Sequence, residues 1–242
     1  GYQSLATNTT GAENTAVGLN SLYSNTTGSS NVAVGRSALE SNTTGGDNVA
    51  IGELTMEKNT TGVRNTGVGT NALFTGTTGD DNVAIGNAAL YALTTAANNT
   101  GVGANALQAN TTGSENTAVG KSAGAAVTTA TWATLLGSGA GAALTTGTQN
   151  TFIGGGAGDA TTTGTQNTSV GYAALGANTT ASHNVAVGYS AMTTNTTGNQ
   201  NVAVGRHALN DNTTGTNNVA LGNHALDDNT TASNNTAVGY QS

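Results

Sequence analysis

His207 and His224 stand seventeen residues apart, and Asp211, Asp227 and Asp228 lie close to them in sequence. Imidazole and carboxylate groups together are zinc-type ligands, but a structural zinc site takes four donors. Two histidines fall short of that, although a threefold axis would multiply them. The pattern reads as an exposed pair beside a solvated acidic face, and the repeated calcium-binding nonapeptide is missing. A second group is the sequon N-x-T, whose amide nitrogen accepts a glycan when it sits on an accessible turn. It recurs at Asn8, Asn25, Asn42, Asn59, Asn110, Asn178, Asn195, Asn212 and Asn229, each within "NTT", with Asn98 and Asn234 as further examples. A third is the paired threonine. Regular hydroxyl files on a flat solenoid bind ice, but adjacent residues of an extended chain face opposite ways, so one threonine of each pair points outward. There is no phosphate-binding loop, no HExxH, no GxSxG and no framed pair of acids. No catalytic, cofactor-binding or metal residue is assigned, and the chain reads as non-catalytic.

These groups share one spacing because the whole chain does. Written in rows of 17, it places glycine at the head of every row from Gly1 to Gly239, with no insertion or deletion. Fourteen full rows fill 238 residues, and four residues begin a fifteenth. Column numbers below count along such a row from its glycine. The consensus is G-x-x-A-L-x-x-N-T-T-G-x-x-N-(T/V)-A-V. Columns 9 and 10 are threonine in all 14 rows, column 14 is asparagine in 13, and column 17 is always Val, Ile or Leu. Fixed-period self-similarity marks a stacked repeat.

Glycine, asparagine and threonine are poor helix formers. "NTAVG" and "NVAIG" are short, β-branched and bounded by glycine, as strands are. The expected fold is all-β: a parallel β-solenoid, or β-roll, of 14 coils forming a single continuous array over 1–242, with an atypical central section at 120–170. Coils at the inter-strand spacing of about 4.8 Å give a rod of roughly 65 Å.

Charged residues make up 7% of the chain and the net charge is −7. Five Lys and Arg spread over 14 coils cannot line a phosphate-tracking groove, which disfavours nucleic acid. The absence of Cys removes disulfides and thiolate metal sites. The absence of Pro suits a backbone whose N–H groups enter a ladder. No stretch approaches 18 apolar residues, so this segment has no membrane-spanning helix.

Side chains alternate along a strand, so columns 15 and 17 share one face and columns 14 and 16 the other. The constant aliphatic column 17 is expected inside, facing the Leu of column 5. The small column 16 is expected outside, where another chain can approach. Column 14 is expected to form an asparagine ladder, and "NTTG" a surface turn. One Leu and one Val per coil is a thin core, which predicts an oligomer packed around a shared axis.

The strings "NTAVG", "NVAVG" and "NVAIG", each followed by "xxAL", resemble the head repeats of YadA-like trimeric autotransporter adhesins. With "NTTG" between units they also resemble repeat regions of bacteriophage tail fibres. The resemblance spans the whole chain. It implies a left-handed β-roll, a homotrimer or self-assembling fibre, and an extracellular, cell-surface or virion location. It also implies a structural shaft or adhesive head, with a host-surface receptor or glycan as partner. The chain departs from the adhesin heads in its longer coil and its constant Thr-Thr. Two alternatives stand beside the fibre: a glycosylated extracellular fibril with glycans on the NTT turns, and a carbohydrate- or ice-binding solenoid.

In the middle of the chain column 5 becomes Gly124, Gly141 and Gly158, while column 8 acquires Val127 and Leu144. Column 16 there holds Leu135 and Phe152, beside the lone Trp132. This region is either a repacked core or a contact region formed by Trp132, Leu135 and Phe152. "GYQS" both opens and closes the chain, which predicts a segment of a longer fibre.

Overall fold

A computed structural model describes residues 1–242 as two compact units, Gly1–Asn116 and Thr117–Ser242. Each is a parallel β-solenoid without helices. The first contains six three-residue strands, from β1 (Thr15–Val17) to β6 (Thr100–Val102). The second contains eight, from β7 (Thr117–Val119) to β14 (Thr236–Val238). Within each unit every strand pairs in parallel with the next at a register of 17, as in Thr15↔Val32 and Val185↔Val202.

The strands are short, but the ladder continues around the coil. In the coil from Gly35 to Ile51, the N–H groups of Gly35, Ser37 and Asp47 donate to Val17, Leu19 and Ser29, each 18 residues earlier in the chain, at 2.8–3.0 Å. Those of Leu39, Ser41, Thr43 and Val49 donate to Thr55, Glu57, Thr60 and Asn65 of the following coil at 2.9–3.1 Å. An inserted residue would misalign bonds to both neighbours, which explains the invariant row length. Column 12 adds a side-chain bond. Val63 N–H donates to Asp80 Oδ1 at 2.8 Å, and Ser182 N–H to Asn199 Oδ1 at 2.7 Å.

Closing a coil in 17 residues needs sharp bends, and left-handed backbone supplies them. Columns 1, 3, 5 and 13 have positive φ, for example Gly35 at 142°, Ser37 at 56°, Leu39 at 52° and Asp47 at 58°. A left-handed leucine costs about 1–2 kcal/mol. Full burial of its side chain is worth about 1.5–3 kcal/mol and offsets that cost. Leu39, Leu90 and Leu209 are all completely buried.

The interior corrects the expected strand orientation. Column 16 faces inward: Ala33, Ala84, Ala186 and Ala220 are fully buried, whereas Val34, Ile85 and Leu221 of column 17 are exposed. The cause is space. Columns 4, 5, 8 and 14 already fill the lumen, so only a small column 16 fits across from the Leu of column 5. The sizes are reciprocal. A Cβ on Gly67 would meet Thr55 Cγ2 at 2.7 Å and Met56 Cε at 3.1 Å, and one on Gly101 would meet Leu90 Cγ at 3.2 Å.

The same reciprocity explains the central section. Leu135 and Phe152 are fully buried. A Cβ on Gly141 would lie 2.9 Å from Leu135 Cδ2 and 3.0 Å from Phe152 Cδ2, and one on Gly158 would lie 2.7 Å from Phe152 Cε2. Bulk has moved from column 5 to the strand, with Val127 and Leu144 also buried. Leu135 and Phe152 are therefore core residues. Trp132 alone of the three expected contact residues faces outward.

Two asparagine files run through the lumen. In column 14, Asn48 Nδ2 donates to Asn31 Oδ1 at 3.2 Å and to Gly62 O at 2.8 Å. Its Oδ1 accepts the backbone N–H of Asn65 at 2.9 Å. In column 8, Asn42 Nδ2 donates to Asn25 Oδ1 at 2.8 Å and to Gly45 O at 2.9 Å. Gly76 interrupts the column-8 file above Asn59, leaving a small cavity lined in part by Met56, Asn59, Leu73, Gly79 and Leu93. A Cβ there meets nothing closer than Leu73 O at 3.4 Å. Gly76→Asn should fill the cavity and place an amide beside Asn59 Oδ1 and Gly79 O. With lower chain entropy in the unfolded state, the expected gain is about 1–2 kcal/mol, read as a higher urea midpoint.

Candidate functional site

The strand face is built from columns 15 and 17. Every third residue of the strand triplet is aliphatic, and the glycine after it turns the chain away, so each coil adds one aliphatic group to the same file. Val34, Ile51, Ile85, Val204 and Leu221 are 36–42% exposed although each has paired strands on both sides. Column 15, Thr or Val, is half-buried beside them. Each unit therefore presents a flat, uncharged rank of β-branched and aliphatic groups. It can exclude water against another apolar surface.

The histidines occupy adjacent coils as expected. The rings of His207 and His224 stack with centroids 5.0 Å apart. Tyr172 stacks on Tyr189 with centroids 5.6 Å apart, and Tyr189 meets His207 edge-on at 5.6 Å with the ring planes 71° apart. His224 Nδ1 is engaged by Asp227 within its own coil. Asp211 and Asp228 are exposed. No group of three or more His, Cys, Asp or Glu converges on a common point.

Surface charge forms rungs between coils. Arg36 pairs with Glu53, and Arg64 holds Asp81 through two contacts at 2.6 and 2.8 Å. The Arg64 guanidinium, chiefly through its hydrogen bond, draws the Asp81 carboxyl below its ordinary value. A lowered carboxyl contributes stability above its unfolded-state value and loses it as pH falls through the folded value. The pair is exposed, so its contribution is small.

Most of the NTT asparagines are not on the surface. Asn25, Asn42, Asn59, Asn110, Asn178, Asn195 and Asn212 are buried. The nitrogen that would carry a glycan already donates inside the coil, as from Asn212 to Asn195 Oδ1 at 2.9 Å and Gly215 O at 3.1 Å. The turn expected to expose these asparagines instead points them into the lumen, where a glycan has no room. Asn8 and Asn229, in the first and last coils, are more open but make the same bond to the column-11 carbonyl. Asn98 and Asn234 lie in column 13 and are exposed.

No helix is long and apolar enough to cross a membrane. Compared with family models, curated proteins and solved structures, the chain gives no match in any of the three.

Proposed function

We propose that this chain is a structural, non-catalytic segment of an elongated extracellular or virion fibre, in which three copies pack side by side through the strand faces of columns 15 and 17. The observation that carries this reading is the exposed aliphatic file of column 17. Parallel sheets occur almost only with both faces covered. Here the coil's own lumen covers one face, and the other is apolar and bare. A self-complementary surface on a repeating rail favours partners that share its coil spacing, and a second copy of the chain meets that requirement in every coil. The resemblance of "NVAVG" and "NVAIG" to the head repeats of trimeric adhesins supports three copies around a common axis.

Sedimentation equilibrium tests the assembly. The expected mass is three times that of the chain. Val204→Asp and Val34→Asp, placed on the outer face where they leave each coil's core intact, should weaken association at least about 100-fold, because each buries an unpaired carboxylate in every subunit. A wild-type chain that sediments as a monomer at micromolar concentration defeats the threefold reading. Thermal hysteresis from such a monomer would favour ice binding by the same face.

A further inference from the structure

Column 10 is threonine in all 14 coils, from Thr10 to Thr231, and every one of these residues is exposed. The neighbouring column 9 has a structural reason to be threonine. Its hydroxyl donates to the column-9 carbonyl of the next coil, as in Thr43 to Thr60 and Thr196 to Thr213, both at 3.0 Å. No protein group pairs with a column-10 hydroxyl. Exposed columns otherwise vary: column 13 alternates among Glu, Ser, Asp, Arg, Asn, Trp, Gln and His. Column 10 lies in a bend without positive φ, a backbone that serine or valine could also adopt, and neither ever appears. What stays constant is an unengaged secondary hydroxyl, followed by a Gly or Ala too small to hinder approach.

We propose that the column-10 threonines are O-glycosylation acceptors, each bearing a sugar transferred from a nucleotide-activated donor by a glycosyltransferase of the producing cell. In the transfer, threonine Oγ1 attacks the anomeric carbon and the new C–O bond forms. The bond from that carbon to the phosphate oxygen breaks, and the nucleoside diphosphate leaves with the electron pair. The hydroxyl proton passes to a base of the transferase. The local sequence T-T-(G/A) repeats in every coil, so one transferase can recognise all of them. Ice is a poorer partner for this file. Glu13, Asp47, Arg64, Asp81 and Glu115 of column 13 are exposed nearby and would interrupt a lattice match. A glycosyl acceptor needs only its own hydroxyl to be reachable. The proposal extends the fibre reading and does not depend on how many copies pack, because column 10 belongs to the turn and not to the strand face.

Intact-mass spectrometry of the full chain isolated from the cells that produce it tests the proposal. The expected spectrum shows a mass excess in whole multiples of one monosaccharide residue, up to 14 of them. Electron-transfer fragmentation should place each on a column-10 threonine. Alkaline β-elimination should remove the excess. In a second measurement, recombinant unmodified chain is incubated with extract of those cells and radiolabelled nucleotide sugars. Thr197→Val should remove label from its own peptide, whereas Thr196→Val should leave the label on Thr197. A native mass equal to that of the sequence overturns the proposal. So does sugar found on column-9 threonines or on asparagine.

Discussion

Asn201→Leu, which keeps the branched shape of the side chain, is expected to destabilise the second unit by about 2–4 kcal/mol. Asn201 Nδ2 donates to Gly215 O at 2.8 Å, and its Oδ1 accepts the backbone N–H of Asn218 at 2.9 Å. Leucine has the same branched shape but is bulkier, and it satisfies neither. The buried Asn218 N–H is left without a partner at a cost of about 1–3 kcal/mol, while Gly215 O keeps the bond from Asn212 Nδ2 at 3.1 Å and loses only one of its two, worth about 0.5–1.5 kcal/mol. Hydrogen exchange should report the loss locally, with the Asn218 amide losing protection first. Serine at the same position keeps an oxygen but cannot reach both partners, so Asn201→Ser should recover only part of the loss. If Asn201→Leu shifts the urea midpoint by less than about 1 kcal/mol equivalent, the lumenal amide file is not a main source of stability.

Gly188→Ala is expected to cost about 3–5 kcal/mol, while Gly198→Ala in the same coil costs little. Both glycines look crowded, with an added Cβ 2.5 Å from the Gly205 carbonyl oxygen in the first case and 2.3 Å from the Gly215 carbonyl oxygen in the second. Crowding therefore does not separate them. Backbone conformation does. Gly188 has φ +138°, a region that side chains other than hydrogen rarely tolerate, whereas Gly198 has no positive φ. Column 11 shows its own tolerance by carrying Ala96, Ala130, Ala181 and Ala232. Column 1 never departs from glycine. Strain in that φ region costs about 1–3 kcal/mol by itself, and displacing the facing carbonyl from its ladder bond adds to it. Chemical denaturation of the two variants side by side checks the contrast.

The period, the parallel pairing, the column-14 amide ladder and the stacking of His207 on His224 were all legible in the sequence. A rigid 17-residue row forces like residues over one another, and no tertiary context can alter that. The orientation of the strand was not legible from alternation, which separates two faces without saying which is inside. Constant aliphatic character pointed column 17 inward, but the lumen was already occupied. A volume argument would have found the answer. Leu135 and Phe152 appear in column 16 only in coils where column 5 has become glycine, so the two columns must share one space. The NTT asparagines carried a similar signal. Leu93, Val127 and Leu144 replace asparagine in column 8, and apolar substitutes mark an interior position rather than an exposed turn.

The bond pattern around each coil also has a mechanical meaning. Donors point to both neighbours, so every coil-to-coil junction within a unit carries a similar set of bonds, spread around the whole perimeter. A pull along the coil axis loads these junctions in series, and the weakest must yield before the rest. Each yielding coil releases 17 residues, or up to about 60 Å of extended chain, in place of about 4.8 Å of coil rise. A row of near-identical coils thus behaves as a graded shock absorber, lengthening in equal steps while the coils still stacked keep their register.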